Sequence, residues 1–388
     1  MVFACILLAT GPAPTLAQRA PASRTFERLS ADAERARAED RVDDAIPLYA
    51  DALKLDPSWA PGWYYLGSLL YERDAYPDAA KAFERTTALT PKAGAAWAML
   101  GLCEFKLERF DAALAHILRA RTLGIGEPSI EHVAVYHQGL LLLGTGEFER
   151  AQEALDELGH AGVEDDNLVT ALGLAVLRLR FSELLGGDST LRDVVHRAGV
   201  AEQLAAQKKF AEALVEYERL AADFPTTPNV QYALGRHLLE VNEDERAVAA
   251  FVREIENSPS HVPARVEIAD TKFRLRDFAG GLPYAEDVVK LAPRYPLGHF
   301  LLGALLVEAG QTERAVAELE TARAGLPAEP KVYFQLGRAY AAIGRTADAA
   351  RARAEFTRLT RAQQASPDAT PERNAPASPA PKTRARTS

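Results

Sequence analysis

The sequence has few of the residues that build disulfides, zinc sites or nucleic-acid interfaces. Only two of its 388 residues are cysteines, Cys5 and Cys103, too few for a disulfide framework or a cysteine-rich zinc site. Cys103 falls among apolar helix residues, so we expect it to be a small buried side chain. The formal net charge is −9, and no basic face of the kind that neutralises phosphates stands out. We therefore expect no nucleic-acid partner.

Catalytic and cofactor-binding motifs are also missing. The chain contains no GxxxxGK[ST], HExxH or GxSxG motif and no dinucleotide fingerprint after a strand. His132 and His137 are five residues apart and do not share a helical face. His237 and Glu240 share one, but a third metal ligand is lacking. These absences predict a protein that is not an enzyme and that has no cofactor or metal.

Long apolar runs are missing as well, since no stretch approaches the 18 or more apolar residues that a membrane span needs. The head, MVFACILLATGPAPTLAQRA, has a short apolar run, a Gly-Pro break and small residues before Gln18. It is predicted to be a signal peptide over residues 1–17, with a linker over 18–25, and the protein to be exported to the periplasm or secreted. No Lys or Arg precedes the run. Either the start codon lies upstream, or the head is merely apolar and the protein is cytoplasmic. Cys5 is a loose match to a lipidation site.

The sequence does have a period of 34 residues, which indicates an array of repeats. Within residues 60–93, Trp63, Leu66, Gly67 and Leu70 follow the spacing of one helical face. A polar turn separates them from a second helix, which ends before a proline because proline cannot continue a helix. The recurring residues are Pro57, Pro91, Pro225, Pro259, Pro293 and Pro327, and, in the second helices, Ala45, Ala79, Ala113, Ala213, Ala247, Gly281, Ala315 and Ala349.

The pattern W-x2-L-G, then A-x3-F, then P, resembles the tetratricopeptide repeat family over residues 26–363. The resemblance implies an all-α, right-handed superhelical α-solenoid of helix-turn-helix repeats, about nine full ones plus one degenerate. Pro47 and Pro283 fall early in second helices, which we expect to begin after them or to kink there. The full repeats are predicted at 26–59, 60–93, 94–127, 132–165, 194–227, 228–261, 262–295, 296–329 and 330–363.

The period breaks once, between the fourth and fifth full repeats. Residues 166–193 keep Leu172-Gly173 in a first helix, but RFSELLGGDSTLRD replaces a normal second helix, and Gly186-Gly187 would end any helix there. We predict an amino-terminal stack over 26–165, a degenerate repeat acting as a hinge with a bend over 166–193, and a carboxyl-terminal stack over 194–363. Residues 364–388, rich in Pro and Ala, are predicted to be a disordered, mildly basic tail or, alternatively, a PxxP ligand at 376–379.

The resemblance also implies where a partner would bind. In tetratricopeptide repeats, positions 2, 5, 9, 12 and 13 usually face a concave groove. Aromatic residues and arginines at such positions are typical of peptide-binding hot spots, although the aromatic rings could equally pack against their neighbours. Arg236 and Arg338 could hold an acidic group of the partner through paired hydrogen bonds. The candidate groove residues are Tyr64, Ser68, Tyr71, Phe105, Tyr232, Arg236, Phe273, Phe300, Phe334 and Arg338.

Two functions follow from this interpretation. The first is a non-catalytic scaffold that binds a protein or a peptide segment in the groove of the repeats. The alternative is an accessory or regulatory subunit of an envelope enzyme or of a secretion or assembly complex. The sequence does not distinguish the partner or the oligomeric state.

Overall fold

The computed structural model describes residues 21–365, and these form twenty α-helices and no strand. Each predicted repeat contributes two consecutive helices, so the predicted all-α repeat array, with one shortened repeat, is confirmed. The first helices are α1 (Pro21–Ala38), α3 (Ala60–Glu72), α5 (Gly94–Lys106), α7 (Pro128–Thr145), α9 (Asp166–Val176), α11 (Ser189–Ala206), α13 (Val230–Glu240), α15 (Val262–Arg274), α17 (Pro296–Glu308) and α19 (Pro330–Ala342). The second helices are α2 (Val42–Leu55), α4 (Tyr76–Leu89), α6 (Phe110–Leu123), α8 (Phe148–His160), α10 (Phe181–Gly186), α12 (Phe210–Asp223), α14 (Asp244–Asn257), α16 (Phe278–Leu291), α18 (Thr312–Gly325) and α20 (Thr346–Ala365).

The helices belong to two compact units. Unit 1 ends at Glu216 and unit 2 begins at Tyr217, within α12. The predicted hinge at 166–193 lies inside unit 1, and a bend there stays a prediction. The predicted signal peptide and the tail beyond Ala365 lie outside the described residues, and α1 begins within the segment predicted as a linker.

Small residues lie where the two helices of a repeat cross, as the period predicts. A Cβ atom on Gly67 of α3 would lie 2.9 Å from the ring of Phe83 on α4, and one on Gly101 would lie 2.8 Å from the side chain of Ile117. Ala79 is fully buried beside Phe83. A larger side chain at these positions would push the paired helices apart, which explains why Gly and Ala recur there.

Within each unit, buried clusters join consecutive repeats. Phe83 of α4 belongs to the same buried cluster as Leu100 and Cys103 of α5. Cys103 is fully buried, and burial raises the pKa of its thiol to about 12, because a thiolate would lose its hydration there. The expected small buried side chain is confirmed.

A hydrogen bond that the sequence pattern does not reveal links the start of several first helices to the preceding turn. The fourth residue of the repeat donates to the carbonyl of the proline six residues earlier. Each bond satisfies a backbone carbonyl in the turn that follows the previous second helix. The donors and acceptors are Trp63 Nε1 and Pro57 O (2.9 Å), Trp97 Nε1 and Pro91 O (3.0 Å), His299 Nε2 and Pro293 O (3.0 Å), and Tyr333 Oη and Pro327 O (2.9 Å).

The turn between the two helices of a repeat has the same backbone geometry throughout. Its fifteenth position lies in the left-handed region, with φ between 57° and 81°, whichever residue stands there. Glycine adopts this region freely, whereas other residues do so at a cost. The residues are Asp40, Asp74, Glu108, Gly146, Lys208, Asn242, Arg276, Gly310 and Gly344.

The shortened repeat is packed differently from the others. Its second helix, α10, has only six residues, and it ends at Gly186 as the Gly-Gly pair predicts. The first helix α9 packs instead directly on α11, the first helix of the next repeat. Gly173 of α9 and Gly199 of α11 allow the two backbones to approach closely. α11 thus takes the place beside α9 that a full second helix would occupy.

Of the two predicted alternatives, the one in which α2 and α16 begin after their prolines is wrong, and a kink at the prolines stays a prediction. α2 begins at Val42 and contains Pro47, and α16 begins at Phe278 and contains Pro283. In each helix the proline is the sixth residue. It therefore removes a single N–H bond to the first turn, a cost that the packed helix tolerates.

Candidate partner-binding face

The first helices of neighbouring repeats lie side by side in each unit. In unit 1, α3, α5 and α7 pack in order, and in unit 2, α15, α17 and α19 do the same. Together with α13, which an ion pair joins to α15, these helices carry all ten candidate groove residues. We call the surfaces that they form in the two units the first-helix faces.

Two of the candidates in unit 1, Tyr64 and Ser68, are engaged in contacts within the protein. The ring of Tyr64 packs against Phe83 with centroids 5.7 Å apart and against Tyr65 at 5.8 Å. Burial raises the pKa of its hydroxyl to about 12. Ser68 donates a hydrogen bond from Oγ to the carbonyl of Tyr64 at 3.0 Å within α3. These contacts leave little of the Tyr64 and Ser68 side chains available to a partner.

Tyr71 and Phe105 lie at the turns between helices, and each contacts an aromatic residue that the sequence analysis missed. The Tyr71 ring meets Tyr76 edge-to-face at 5.3 Å, and the Phe105 ring meets Phe110 edge-to-face at 5.8 Å. Burial raises the pKa of Tyr71, but Phe110 is 50% exposed. A partner could therefore reach this edge of the face. We call the two contacts the rim pairs.

The second aromatic residue of each rim pair lies at repeat position 17. Phe278 repeats the arrangement in unit 2, with its ring 5.7 Å from Phe273. The signal was present in the sequence, since Tyr76, Phe110 and Phe278 share one position of the repeat. The family resemblance points only to positions within the first helix, whereas position 17 opens the second.

The candidates in unit 2 differ in how far a partner could reach them. Tyr232 is only 4% exposed, between Phe251 at 5.7 Å and His261 at 5.0 Å. Phe300 is half-buried between two core clusters. Phe334 is 49% exposed and leans on Phe356 of α20 at 5.6 Å. Phe334 is the large accessible ring of this unit's face.

The two candidate arginines already have carboxylate partners from a neighbouring repeat. Arg236 of α13 lies 3.7 Å from a carboxylate oxygen of Glu267 on α15 and 3.5 Å from the Tyr232 hydroxyl. Arg338 of α19 pairs with Glu308 on α17. An acidic group of a partner would have to displace or share these contacts.

Two further results concern the expected absences. Within residues 21–365, no helix combines the length and the apolar character needed to cross a bilayer. The same part of the chain has no group of three His, Cys, Asp or Glu side chains placed to hold a metal ion. His237, 2% exposed, stacks on Tyr217 at 5.2 Å and lies 3.4 Å from Glu240.

Comparison with known proteins identifies the repeat. A family model described as tetratricopeptide repeat matches residues 31–85, 66–128, 201–262 and 266–330, which together make up more than half of the chain. The "Protein CTR9 homolog" of Arabidopsis thaliana is 22% identical over 317 residues, covering 77% of this chain and 29% of that protein. The chain thus spans less than a third of the length of this curated relative.

Solved structures with a similar fold also have low identity to this chain. The structure "MamA 41-end from Desulfovibrio magneticus RS-1" is 23% identical, with a TM-score of 0.39, and covers 43% of this chain and 93% of its own. The hetero-tetramer Cut9-Hcn1 is 13% identical, with a TM-score of 0.35, and covers 87% of both chains. These are likenesses of fold alone.

Proposed function

Because the chain belongs to the tetratricopeptide repeat family, we propose that it is a non-catalytic scaffold that holds a protein or a peptide segment on its first-helix faces. One observation carries the proposal. A large aromatic side chain is about half exposed in each unit, Phe110 at the edge of the face in unit 1 and Phe334 on the face in unit 2. Leaving such a ring in water forgoes the gain from burying it, and a bound apolar chain would recover that gain.

The way these rings are held supports the proposal. Phe110 rests edge-on against Phe105, and Phe334 rests on Phe356, so both are already restrained before a partner arrives. A restrained aromatic side chain loses little conformational entropy on binding. Rings of this kind are common among the residues that dominate binding energy at interfaces.

The two candidate arginines are expected to contribute less to binding than the aromatic rings. Arg236 and Arg338 are engaged by Glu267 and Glu308, so capturing an acidic group would first cost these contacts. Exposed ion pairs are weak, and exchange with a partner's carboxylate would bring little net gain. We propose that apolar contacts with the rings supply most of the affinity, and that the arginines fix orientation.

Affinity capture with single substitutions tests the scaffold function. The full chain, immobilised and exposed to an extract of its native host, should retain a defined protein partner. Phe110→Ser or Phe334→Ser should lower its recovery at least tenfold, because the apolar contact is lost. Leu89→Ser is a matched control, since Leu89 is 41% exposed but lies at the far end of α4 from the rim pairs. Equal recovery by all variants would overturn the proposal, with circular dichroism checking that each remains folded.

Export through the head is a separate proposal, motivated by the apolar run and the small residues before Gln18. Mass spectrometry of the protein from its host should find a mature amino terminus at Gln18. An intact head on protein recovered from the cytoplasmic fraction would contradict export. The identity of the captured partner decides whether the scaffold is an accessory subunit of an envelope enzyme or of a secretion complex.

A further inference from the structure

The rim pairs of unit 1 occur in two consecutive repeats at the same positions. Tyr71 and Tyr76 stand at the turn between α3 and α4, and Phe105 and Phe110 at the turn between α5 and α6. Each pair presents an edge-to-face surface, the shape that a flat, rigid ring packs against well. The next first helix continues the row, because His137 of α7 meets the Phe105 ring at 4.6 Å.

At the third turn the row keeps an aromatic residue at position 17, Phe148, and gains acidic neighbours. Glu147 precedes Phe148 in the turn between α7 and α8, and Glu149 follows it in α8, each about half exposed. Glu147 pairs with Arg150, and Glu149 with Arg178. Across residues 147–166 eight acidic residues stand against one basic residue, so this end of the row attracts positive charge. Along unit 1, two aromatic pairs are therefore followed by a turn where the aromatic Phe148 stands between two acidic residues.

The typical distance between packed helices lets a polyproline helix follow this row. Packed helices stand about 8–10 Å apart, so equivalent turns of adjacent repeats repeat on the order of 10 Å. A polyproline II helix has three residues per turn and rises about 9.3 Å per turn. A segment in that conformation would thus present every third residue to one turn after another.

The carboxyl-terminal region of the chain has the proline-rich composition that favours this conformation. Residues 366–388 follow the end of α20 and contain five prolines, and their charged residues, four basic against two acidic, give them a net positive charge. Pro376, Pro379 and Lys382 are spaced by three residues each. Their order is ring, ring, cation, which complements the order of the row in unit 1.

We propose that residues 376–386 of a second copy of the chain dock on the rim pairs of unit 1. Pro376 packs on Tyr71 and Tyr76, Pro379 packs on Phe105 and Phe110, and Lys382 faces the acidic turn at Glu147 and Glu149. Proline-rich segments bind aromatic-lined surfaces because their prolines restrict the backbone before binding. The inference rests on the proposed function, since it assigns one partner, the chain itself, to part of the same face.

The docking makes the contact between copies heterologous, because the segment and the rim pairs are different surfaces. Each copy can then donate one segment and accept another, so chains add in open series rather than closing as a symmetric dimer. The docked segment also covers Phe110, and a different partner would compete with it. Self-association thus regulates access to the face.

Sedimentation of the purified full chain tests the inference without any other partner. The weight-average mass should rise with protein concentration. Pro376→Ala with Pro379→Ala should weaken the association at least tenfold, and so should Phe110→Ser. Two control variants should leave it unchanged, Leu89→Ser and the pair Pro367→Ala with Pro371→Ala, whose prolines are not three residues apart. A monomer at every concentration, or an association that the tail substitutions leave intact, would overturn the inference.

A charge reversal tests the register. Lys382→Glu should weaken the association severalfold at low salt and less at high salt, because screening removes the repulsion. Adding Glu147→Lys should restore it, as expected for two groups in contact. Absence of any rescue would refute the placement of Lys382. The scaffold function stands or falls separately, since partner capture is measured at protein concentrations below those of self-association.

Discussion

Gly173 and Gly199 each lie against the backbone of the other's helix where α9 crosses α11. A Cβ atom on Gly173 would lie 1.9 Å from the carbonyl oxygen of Val195, and one on Gly199 would lie 1.8 Å from that of Val169. Neither carbonyl can move without shifting its helix. The pair therefore fixes how closely the shortened repeat rests on the repeat that follows it.

Replacing either glycine should destabilise unit 1. Gly173→Ala or Gly199→Ala should lower the free energy of unfolding by about 3 kcal/mol, the upper part of the range for overpacking, because the added methyl meets backbone rather than a flexible side chain. Gly144→Ala is the control, since Gly144 is an exposed helical residue with no atom within 4 Å of an added Cβ. It should stabilise by roughly 0.5–1 kcal/mol. Urea unfolding followed by circular dichroism measures both, and similar effects at the three sites would refute the close crossing.

The left-handed turn at repeat position 15 predicts opposite effects at two sites. Glu108→Gly should raise the free energy of unfolding by about 0.5–1 kcal/mol, because glycine adopts the positive φ without strain. Gly310→Ala should lower it by about 1 kcal/mol, although an added Cβ would meet no atom within 4 Å. Thermal unfolding measures the two variants side by side. If both shift stability in the same direction, the backbone geometry is not the cause.

The hydrogen bond from Tyr333 to the Pro327 carbonyl has a measurable share in stability. Tyr333→Phe removes only the donor, and it should cost about 1 kcal/mol, the usual net value of such a bond. Tyr136→Phe provides the comparison, since burial raises the pKa of the Tyr136 hydroxyl but no hydrogen bond to it is seen within residues 21–365. We expect that control to change stability by less than about 0.5 kcal/mol. A loss of equal size in both variants would point to packing instead.

The buried thiol of Cys103 should not react in the native protein. Its pKa is raised to about 12 by burial, so the reactive thiolate is scarce at pH 8, and the side chain is fully enclosed. A Cys5→Ser variant should give no labelling with a thiol reagent in its native state and one equivalent when unfolded. Raising the pH from 7 to 9 should not change the native result. Labelling that grows tenfold per pH unit would show an accessible thiol with an ordinary pKa.

The sequence predicts the helix pairs because steric rules limit which residues can stand at crossings and helix ends. For that reason Gly or Ala recurs at the positions of Gly67 and Ala79, and proline recurs at the position of Pro91 in most repeats. The sequence does not reveal the constraint at position 15. That position requires a positive φ angle, and residues as different as Glu108, Lys208 and Gly310 adopt it. The repeat period therefore reveals the positions where side-chain size is restricted, but not the positions where the backbone φ angle is restricted.

The candidate face was predictable in outline and not in detail. Positions within a repeat indicate which helix carries a residue, but exposure depends on what the neighbouring repeat supplies. Tyr232 is covered because Phe251 and His261 pack around it, whereas Phe334 is open. Arg236 meets Glu267 across 31 residues of sequence, a pairing that no local pattern announces.

The six-residue helix α10 offers a practical site for insertions into this chain. α9 packs on α11 rather than on α10, and Phe181, the first residue of α10, is 48% exposed. Extra sequence entering at Gly186 would extend outward into solvent and leave both flanking helices seated. A fluorescent protein or an affinity handle grafted there would report on the chain while both termini keep their native ends.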